Sequence, residues 1–270
     1  MMDLDKQQVH AFWNEASCGE TLYLTGTDQQ GSYKQQAQIR YQLEPYIVDF
    51  ARFDDSSARH VLEIGVGLGA DHQRFAEAGA LLKGCDLTPR AVKHTQERLA
   101  CFGLPANVQV ADAEALPYAT NEFDLVYSWG VIHHSPDTPK AVSEIHRVLK
   151  PGGEAAVMIY HTHSFVGYML WVRYAFLTGR WTLSLADIYA RFLESPGTKA
   201  YTLPEAKALF SGFSLVTIHT VLTHGDLLSS QAGQRHAGTL LTVARRLFPR
   251  KFIQHFFPTH GLFMLIKATK

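Results

Sequence analysis

Three glycines in five residues follow an apolar run at Val61 to Gly69, VLEIGVGLG. Such a turn lets a ligand approach the backbone with no Cβ in the way. A helix predicted to begin at Ala70 would aim its first N–H groups at the same ligand. About 20 residues beyond Gly65, Asp86 ends the run LLKGCD, and a carboxylate at that strand tip can accept both hydroxyls of a ribose. Thr88, with Pro89 at the first helical position, is the better cap for the next helix, which leaves Asp86 to the ligand. In Asp112-Ala113-Glu114-Ala115-Leu116-Pro117 an acid follows a third strand, where an acid and a neighbouring backbone N–H can read adenine; a solvated loop acid is an equally good account of the motif alone. The set describes a site for a nucleotide-bearing cofactor without naming it. Gly65, Gly67 and Ala70 also satisfy the dinucleotide pattern GxGxxA.

The chain has 14 histidines, and four fall where strands end. His133 and His134 follow the run FDLVYSW, and His161 and His163 follow EAAVMIY. Open α/β sheets bind ligands at the carboxyl ends of their strands, so His133, His161 and His163 are candidate catalytic bases. At least one of His133 and His134 is better read as a structural histidine before the next helix. His161 and His163, two residues apart with no acid or cysteine beside them, are too weak a pattern for a metal, and no metal is expected.

These residues need a frame to hold them. From His60 onward short β-rich runs alternate with helical stretches: VLEI, a helix over 70–78, LLKGCD, a helix over 89–102, VQVAD, FDLVYSW, a helix over 138–149, and EAAVMIY at 154–160. This alternation predicts right-handed βαβ units and a parallel sheet with helices on both faces. Helices over 4–16 and 29–52 precede the sheet, the second split at Pro45. After Tyr160 the pattern changes to an aromatic helical insert over 163–195. It is either a lid that forms an apolar pocket with the N-terminal helices, Tyr33 included, or simply packed core or an oligomer interface. The second account fits most of its aromatics better. A membrane-surface helix fits Trp171, Arg173 and Phe176 but lacks a Lys/Arg-rich face. The polar loop 194–201 is a second route to the pocket, through Lys199 or Tyr201. TLPEAKALF predicts a Thr-capped helix. FSLVTIHTVL at 213–222 and GLFMLIKAT at 261–269 predict late strands forming an antiparallel sheet edge, with a helix over 232–247 between them. The basic run Arg245 to Lys251 reads as a solvated helix end.

Bulk properties exclude several classes. Among 270 residues, 25 Lys and Arg balance 25 Asp and Glu, so no field gathers nucleic acid, and none is expected as a partner. The cysteines Cys18, Cys85 and Cys101 are scattered, which argues against a disulfide scaffold or zinc cluster. The start, MMDLDKQQVH, has no apolar run of a signal peptide, and Ser164 to Leu177 is too short to span a bilayer. A cytoplasmic protein without stable membrane insertion is expected, with self-association left open.

Taken in order, VLEIGVGLG, GCDLTP, ADAEALP, FDLVYSWGVIHH and EIHRVLKPGG resemble the class I S-adenosylmethionine-dependent methyltransferases, in particular the small-molecule branch that includes quinone and sterol C-methyltransferases. The resemblance covers about residues 60 to 160, with weaker agreement in TLPEAKALFSGFSLVTI. It implies a Rossmann-like, mostly parallel seven-stranded sheet with an antiparallel C-terminal edge. It also implies roles by position. Glu63, Gly65, Gly67 and Gly69 would border the methionine part of S-adenosyl-L-methionine. Asp86 would hold the ribose, Leu87 would lie against adenine, and Asp112, Ala113 and Glu114 would hold adenine. Ser128 and Trp129 would lie beside the sulfonium. The expected organisation is an N-terminal helical cap (1–58), a cofactor-binding core (59–162), an inserted helical lid (163–200) and a C-terminal completion of the sheet (201–270). The expected activity is methyl transfer to a small, partly apolar or aromatic molecule. An NAD-dependent oxidoreductase is the alternative, and a non-catalytic scaffold on the same fold a third reading.

Overall fold

Alternation along the strands builds the molecule outward from its sheet. A strand covered on both faces sends successive side chains to opposite cores. In β1 (His60–Ile64), Leu62 and Ile64 join one core and Val61 the other; in β5 (Leu149–Tyr160), Ala155, Val157 and Ile159 alternate with Ala156, Met158 and Tyr160 in the same way. The computed structural model describes residues 4–20, 24, 28–230, 246 and 248–270.

The sheet has seven strands: β1, β2 (Leu81–Asp86), β3 (Val108–Val110), β4 (Phe123–Trp129), β5, β6 (Leu215–Val221) and β7 (Phe263–Thr269). Their spatial order is β3-β2-β1-β4-β5-β7-β6. The first five pair in parallel, while β7 runs antiparallel to both β5 and β6. The expected antiparallel edge is therefore one reversed strand slotted inside the sheet, with β6 outside it. A dinucleotide sheet is parallel throughout its classic order, so this hairpin separates the two architectures left open by the glycine pattern.

One core face carries α6 (Thr138–Val148) and α9 (Leu203–Leu209), through Ile145, Val148 and Ala206. The other carries α3 (Tyr46–Ala51) and α4 (Ala70–Glu77), through Ile47, Phe50 and Phe75. The predicted break at Pro45 is present: α2 (Gln29–Leu43) ends at Glu44, and α3 starts after Pro45. α1 (Leu4–Glu15) and α5 (Pro89–Cys101) complete the N-terminal half, and Thr88 caps α5 by accepting the N–H of Ala91. Thr202 and Glu205 form a capping box at α9.

Several boundaries differ from expectation, two of them for a visible reason. The third strand stops at Val110 because the chain turns back on itself in a bridge between Asp112 and Ala115. The fifth begins at Leu149, since Pro151-Gly152-Gly153 continues the strand across a register shift against β4. The insert consists of α7 (Phe165–Trp171) and α8 (Leu185–Ile188), each running into a π-helical turn, at Val172–Phe176 and Tyr189–Leu193. Its base is stapled where His161 bridges Tyr201. The helix expected over 232–247 lies outside the described residues, apart from Arg246. α10 (Arg250–Phe256) follows, and Arg250 donates to the carbonyls of Leu227 and Leu228. No described helix is long and apolar enough to cross a membrane.

Candidate functional site

The turn after β1 is shaped by contacts that exclude side chains. Gly65 has φ +84°, and a Cβ there would sit 2.0 Å from a methyl of Val131. Gly67 has φ +52°, and a Cβ built on it meets nothing within 4 Å. The first glycine packs against protein; the second faces open space. Gly69 precedes α4 with φ +74°.

A cavity of about 1110 Å³ begins at this turn. Single drug-sized ligands occupy roughly 300–1,000 Å³. This cavity has room for a cofactor and a second molecule. One end is lined by Glu63, Gly65, Gly67, Gly69, Asp86, Leu87, Asp112 and Ala113. The other end lies under the insert and is apolar and aromatic, with Trp129, Met169, Leu170, Leu228 and Phe263 on its wall.

The acids at the first end are all engaged. Asp86 was expected to be free, but its Oδ1 accepts the backbone N–H (3.0 Å) and hydroxyl (2.9 Å) of Thr88, and its Oδ2 accepts the N–H of Gly67 at 3.3 Å. The same residue ties the tip of β2 to the glycine turn. Burial pushes its carboxyl above the usual range, against the pull of those donors. Glu63 lies 2.8 Å from His72 Nδ1. Burial raises Glu63 well above the carboxylate range and lowers His72 to about 3, so the two share a proton rather than form an ion pair. Gly84 makes room for this, since a Cβ there would lie 2.6 Å from the His72 ring. Asp112 accepts Lys6 Nζ at 2.6 Å and the N–H of Glu114 at 2.9 Å.

Some expected residues are elsewhere. Glu114 does not line the cavity; its carboxylate takes Lys6, the Ser135 hydroxyl and the N–H of Asp137, which together outweigh burial and hold it below the ordinary value. Ser128 is fully buried and off the cavity wall, because β4 alternation turns it into the core beneath Trp129. None of His133, His161 and His163 lines the cavity. His133 is enclosed between His134 and Tyr160, and burial lowers it well below the ordinary histidine value. His161 faces the carbonyl of Gly261 through Nδ1 at the insert's base. Tyr33 is buried against Arg98 instead, at 5.1 Å from guanidinium to ring centre. Lys199 is tied to the carbonyls of Ser135 and Pro136, and Tyr201 forms the staple.

The cavity wall also holds polar groups that carry no sequence motif. Glu44 lines the wall, 3.5 Å from Arg40 Nη1, and burial pushes it up to about 7. Arg40 in turn grips Asp71 through Nε and Nη2, at 3.0 and 2.6 Å, and Asp71 also accepts the hydroxyls of Tyr41 and Tyr127. His134, Tyr160 and Glu194 form a second group: Tyr160 donates to Glu194 at 2.8 Å, and His134 Nε2 lies 3.3 Å from the same carboxylate. The only hint of Glu44 in the sequence was its place before the kinking Pro45. Glu194 gave none. Lys6 was invisible because its partners lie more than a hundred residues away.

Residues 62–157 match the family model described as a methyltransferase domain. Over this segment the chain is similar to the S-adenosylmethionine-dependent methyltransferases. A Mycobacterium tuberculosis relative described as uncharacterised is 38% identical over 110 residues, 41% of this chain and 40% of that protein. The methyltransferase GfsG of Streptomyces halstedii is 33% identical over 111 residues, 40% of each chain. The matched segment thus spans about 40% of the length of these curated relatives. Among solved structures, a Haemonchus contortus phosphoethanolamine N-methyltransferase in complex with phosphomonomethylethanolamine and S-adenosylhomocysteine superposes with TM-score 0.53 at 21% identity, over 80% of this chain and 49% of that one. That likeness shows the class I methyltransferase fold. The matched segment covers the glycine turn and most of the five parallel strands; β6, β7 and the helices over the other end of the cavity lie outside it.

Proposed function

We propose that the chain transfers a methyl group from S-adenosylmethionine to a small, partly apolar molecule. The observation that carries this reading is the single cavity that joins the glycine turn to the aromatic space under the insert. The residues at the first end suit the cofactor. The open Cβ position of Gly67 admits a close ligand, Glu63 offers a carboxyl oxygen that can accept from an ammonium group, and Asp86 and Asp112 offer acceptors for ribose hydroxyls and an adenine amine. When bound, S-adenosylmethionine supplies an electrophilic sulfonium methyl.

The chain's own residues then have three tasks. The aromatic wall of Trp129, Tyr160 and Phe263 excludes water and orients a flat or apolar acceptor. Arg40, held by Asp71, fixes the position of Glu44. Glu44, a carboxylate near 7 on the cavity wall, is matched to accept a proton from an acceptor hydroxyl or acidic carbon at neutral pH. This assigns the base to Glu44 instead of the three histidines expected from strand ends.

The test is titration of the purified chain with S-adenosylhomocysteine and with NADH, followed by a mass-shift screen for labelled methyl transfer into metabolite extracts. Binding of S-adenosylhomocysteine alone and a labelled small product support the reading. NADH binding without a response to S-adenosylhomocysteine overturns it.

A further inference from the structure

We propose that His133, His134 and Glu194 form a binding site for a divalent transition-metal ion of the zinc class, in the wall of the acceptor end. One ligand atom from each residue can be chosen so that all lie within 4.8 Å of one another. The His134 Nε2 to Glu194 Oε2 separation is already 3.3 Å, close to the roughly 3.4 Å between two donors on a tetrahedral zinc with bonds near 2 Å.

The surroundings fit ligands better than an ordinary core. His133 is completely buried, yet neither of its ring nitrogens has a hydrogen-bond partner among the described residues. Buried polar groups are ordinarily paired, and an imidazole with two bare nitrogens carries a desolvation cost that coordination removes. His134 is oriented from behind: its Nδ1 lies 2.9 Å from the Ser195 hydroxyl and 3.1 Å from that of Thr198, which turns Nε2 toward Glu194. Metal-bound histidines are typically held in this way, by an oxygen on the ring nitrogen that does not coordinate. Glu194 is braced by the Tyr160 hydroxyl and sits where the π-helical turn Tyr189–Leu193 ends. Irregular turns of that kind recur at functional sites.

Two imidazoles and one carboxylate form a zinc-type donor set that leaves a further coordination position. His134 and Glu194 line the cavity, so an ion held there is reachable by an oxygen or nitrogen of a bound acceptor. The sequence hid this group because the acid lies some sixty residues from the adjacent histidines.

The experiment uses the full chain, stripped with a chelator and titrated with Zn²⁺ against a chromophoric competitor and with Co²⁺ by visible spectroscopy. One equivalent is expected, with Co²⁺ giving intense bands of low coordination number. Glu194→Gln and His134→Gln should each weaken binding at least about tenfold, while His163→Gln should not. Absent stoichiometric binding, a weak six-coordinate aqueous-type Co²⁺ spectrum, or affinity unchanged in both cluster variants overturns the proposal. The Co²⁺ spectrum of the unmodified chain decides the matter even if a variant fails to fold. S-adenosylhomocysteine titration of the same samples reports the cofactor end alone, so either result stands or falls without the other.

Discussion

The two ends of the cavity are made differently. At the cofactor end, backbone groups and acids at the tips of β1, β2 and the loop after β3 surround the space, and each is fixed by a neighbour such as Thr88, Gly67 or His72. At the other end, side chains from α2, the insert and the segment before β7 converge on those of β4, β5 and β7, so helices and strands share the wall. The first end is set by the sheet and tolerates little change. The second is set in part by packing between separate helices, so its shape can vary while the sheet stays fixed. In such proteins the cofactor follows from the fold, and the acceptor follows from what has been laid over it.

The joint between the ends should be the most sensitive point. Asp71→Asn leaves the partly buried Arg40 facing a neutral amide at the buried position 71, and a loss of stability of about 3 kcal/mol is expected, read from urea unfolding. A loss under about 1 kcal/mol would dissolve the distinction between a fixed joint and a variable wall. The pH dependence carries the same information. Burial opposes ionisation of Asp71, but Arg40 and the tyrosine hydroxyls outweigh it and hold the carboxyl below its ordinary value. Its stabilisation is therefore present above the unfolded value near 4 and is lost as pH falls through the lower folded value. The unmodified chain should lose stability more steeply in that acid window than Asp71→Asn.

Next in size, Asp86→Ala removes the acceptor of the Gly67 N–H and, on the proposed reading, that of the ribose as well. S-adenosylhomocysteine affinity should fall at least tenfold, since hydrogen bonds to a charged group contribute about 1.5–3 kcal/mol each. Unchanged affinity in calorimetry would place the ribose elsewhere. Glu44→Gln should act only at the other end. Turnover should drop by about 10²-fold, within the range of general-base catalysis, with cofactor affinity retained. The rising limb of the unmodified enzyme's rate profile should centre near 7, the value to which burial pushes Glu44, and vanish in the variant. The groups facing Glu44 are Arg40, which lowers its value, and Asp71 and Glu194, which raise it. A limb that survives the substitution would move the base to another group. The smallest effect is expected from Lys6→Ala. Its ion pairs to Asp112 and Glu114 bridge partly exposed groups, so less than about 1 kcal/mol of stability should be lost.

What could be read from the sequence follows the same division. The alternation from His60 to Tyr160 carried the parallel strands, and Pro45 marked the break between α2 and α3, because periodicity and proline geometry act within a few residues. The glycine turn, Asp86 and Asp112 were legible for the same reason. The sequence could not place the histidines because being at a strand end does not say which way a ring points: His133 is buried in the 3-10 turn Ile132–His134 that follows β4, and His161 is held at the insert's base by its bridge to Tyr201, so neither lines the cavity. Glu44 and Glu194 gained their character from residues brought close only by the fold. The position of β7 was likewise out of reach, since two antiparallel strands can be laid on a sheet edge in either order.

That order has a consequence for how the molecule is made. β5 finds its outer neighbour only when Phe263–Thr269 arrives, about a hundred residues later, and β6 is produced before the strand that joins it to the rest. During synthesis the flank of β5 must wait uncovered, with Val157 and Ile159 in an apolar run beside open backbone groups. The protein is therefore most exposed to misassembly late in its production, at the same strand whose first residue, Phe263, finally closes one wall of the cavity.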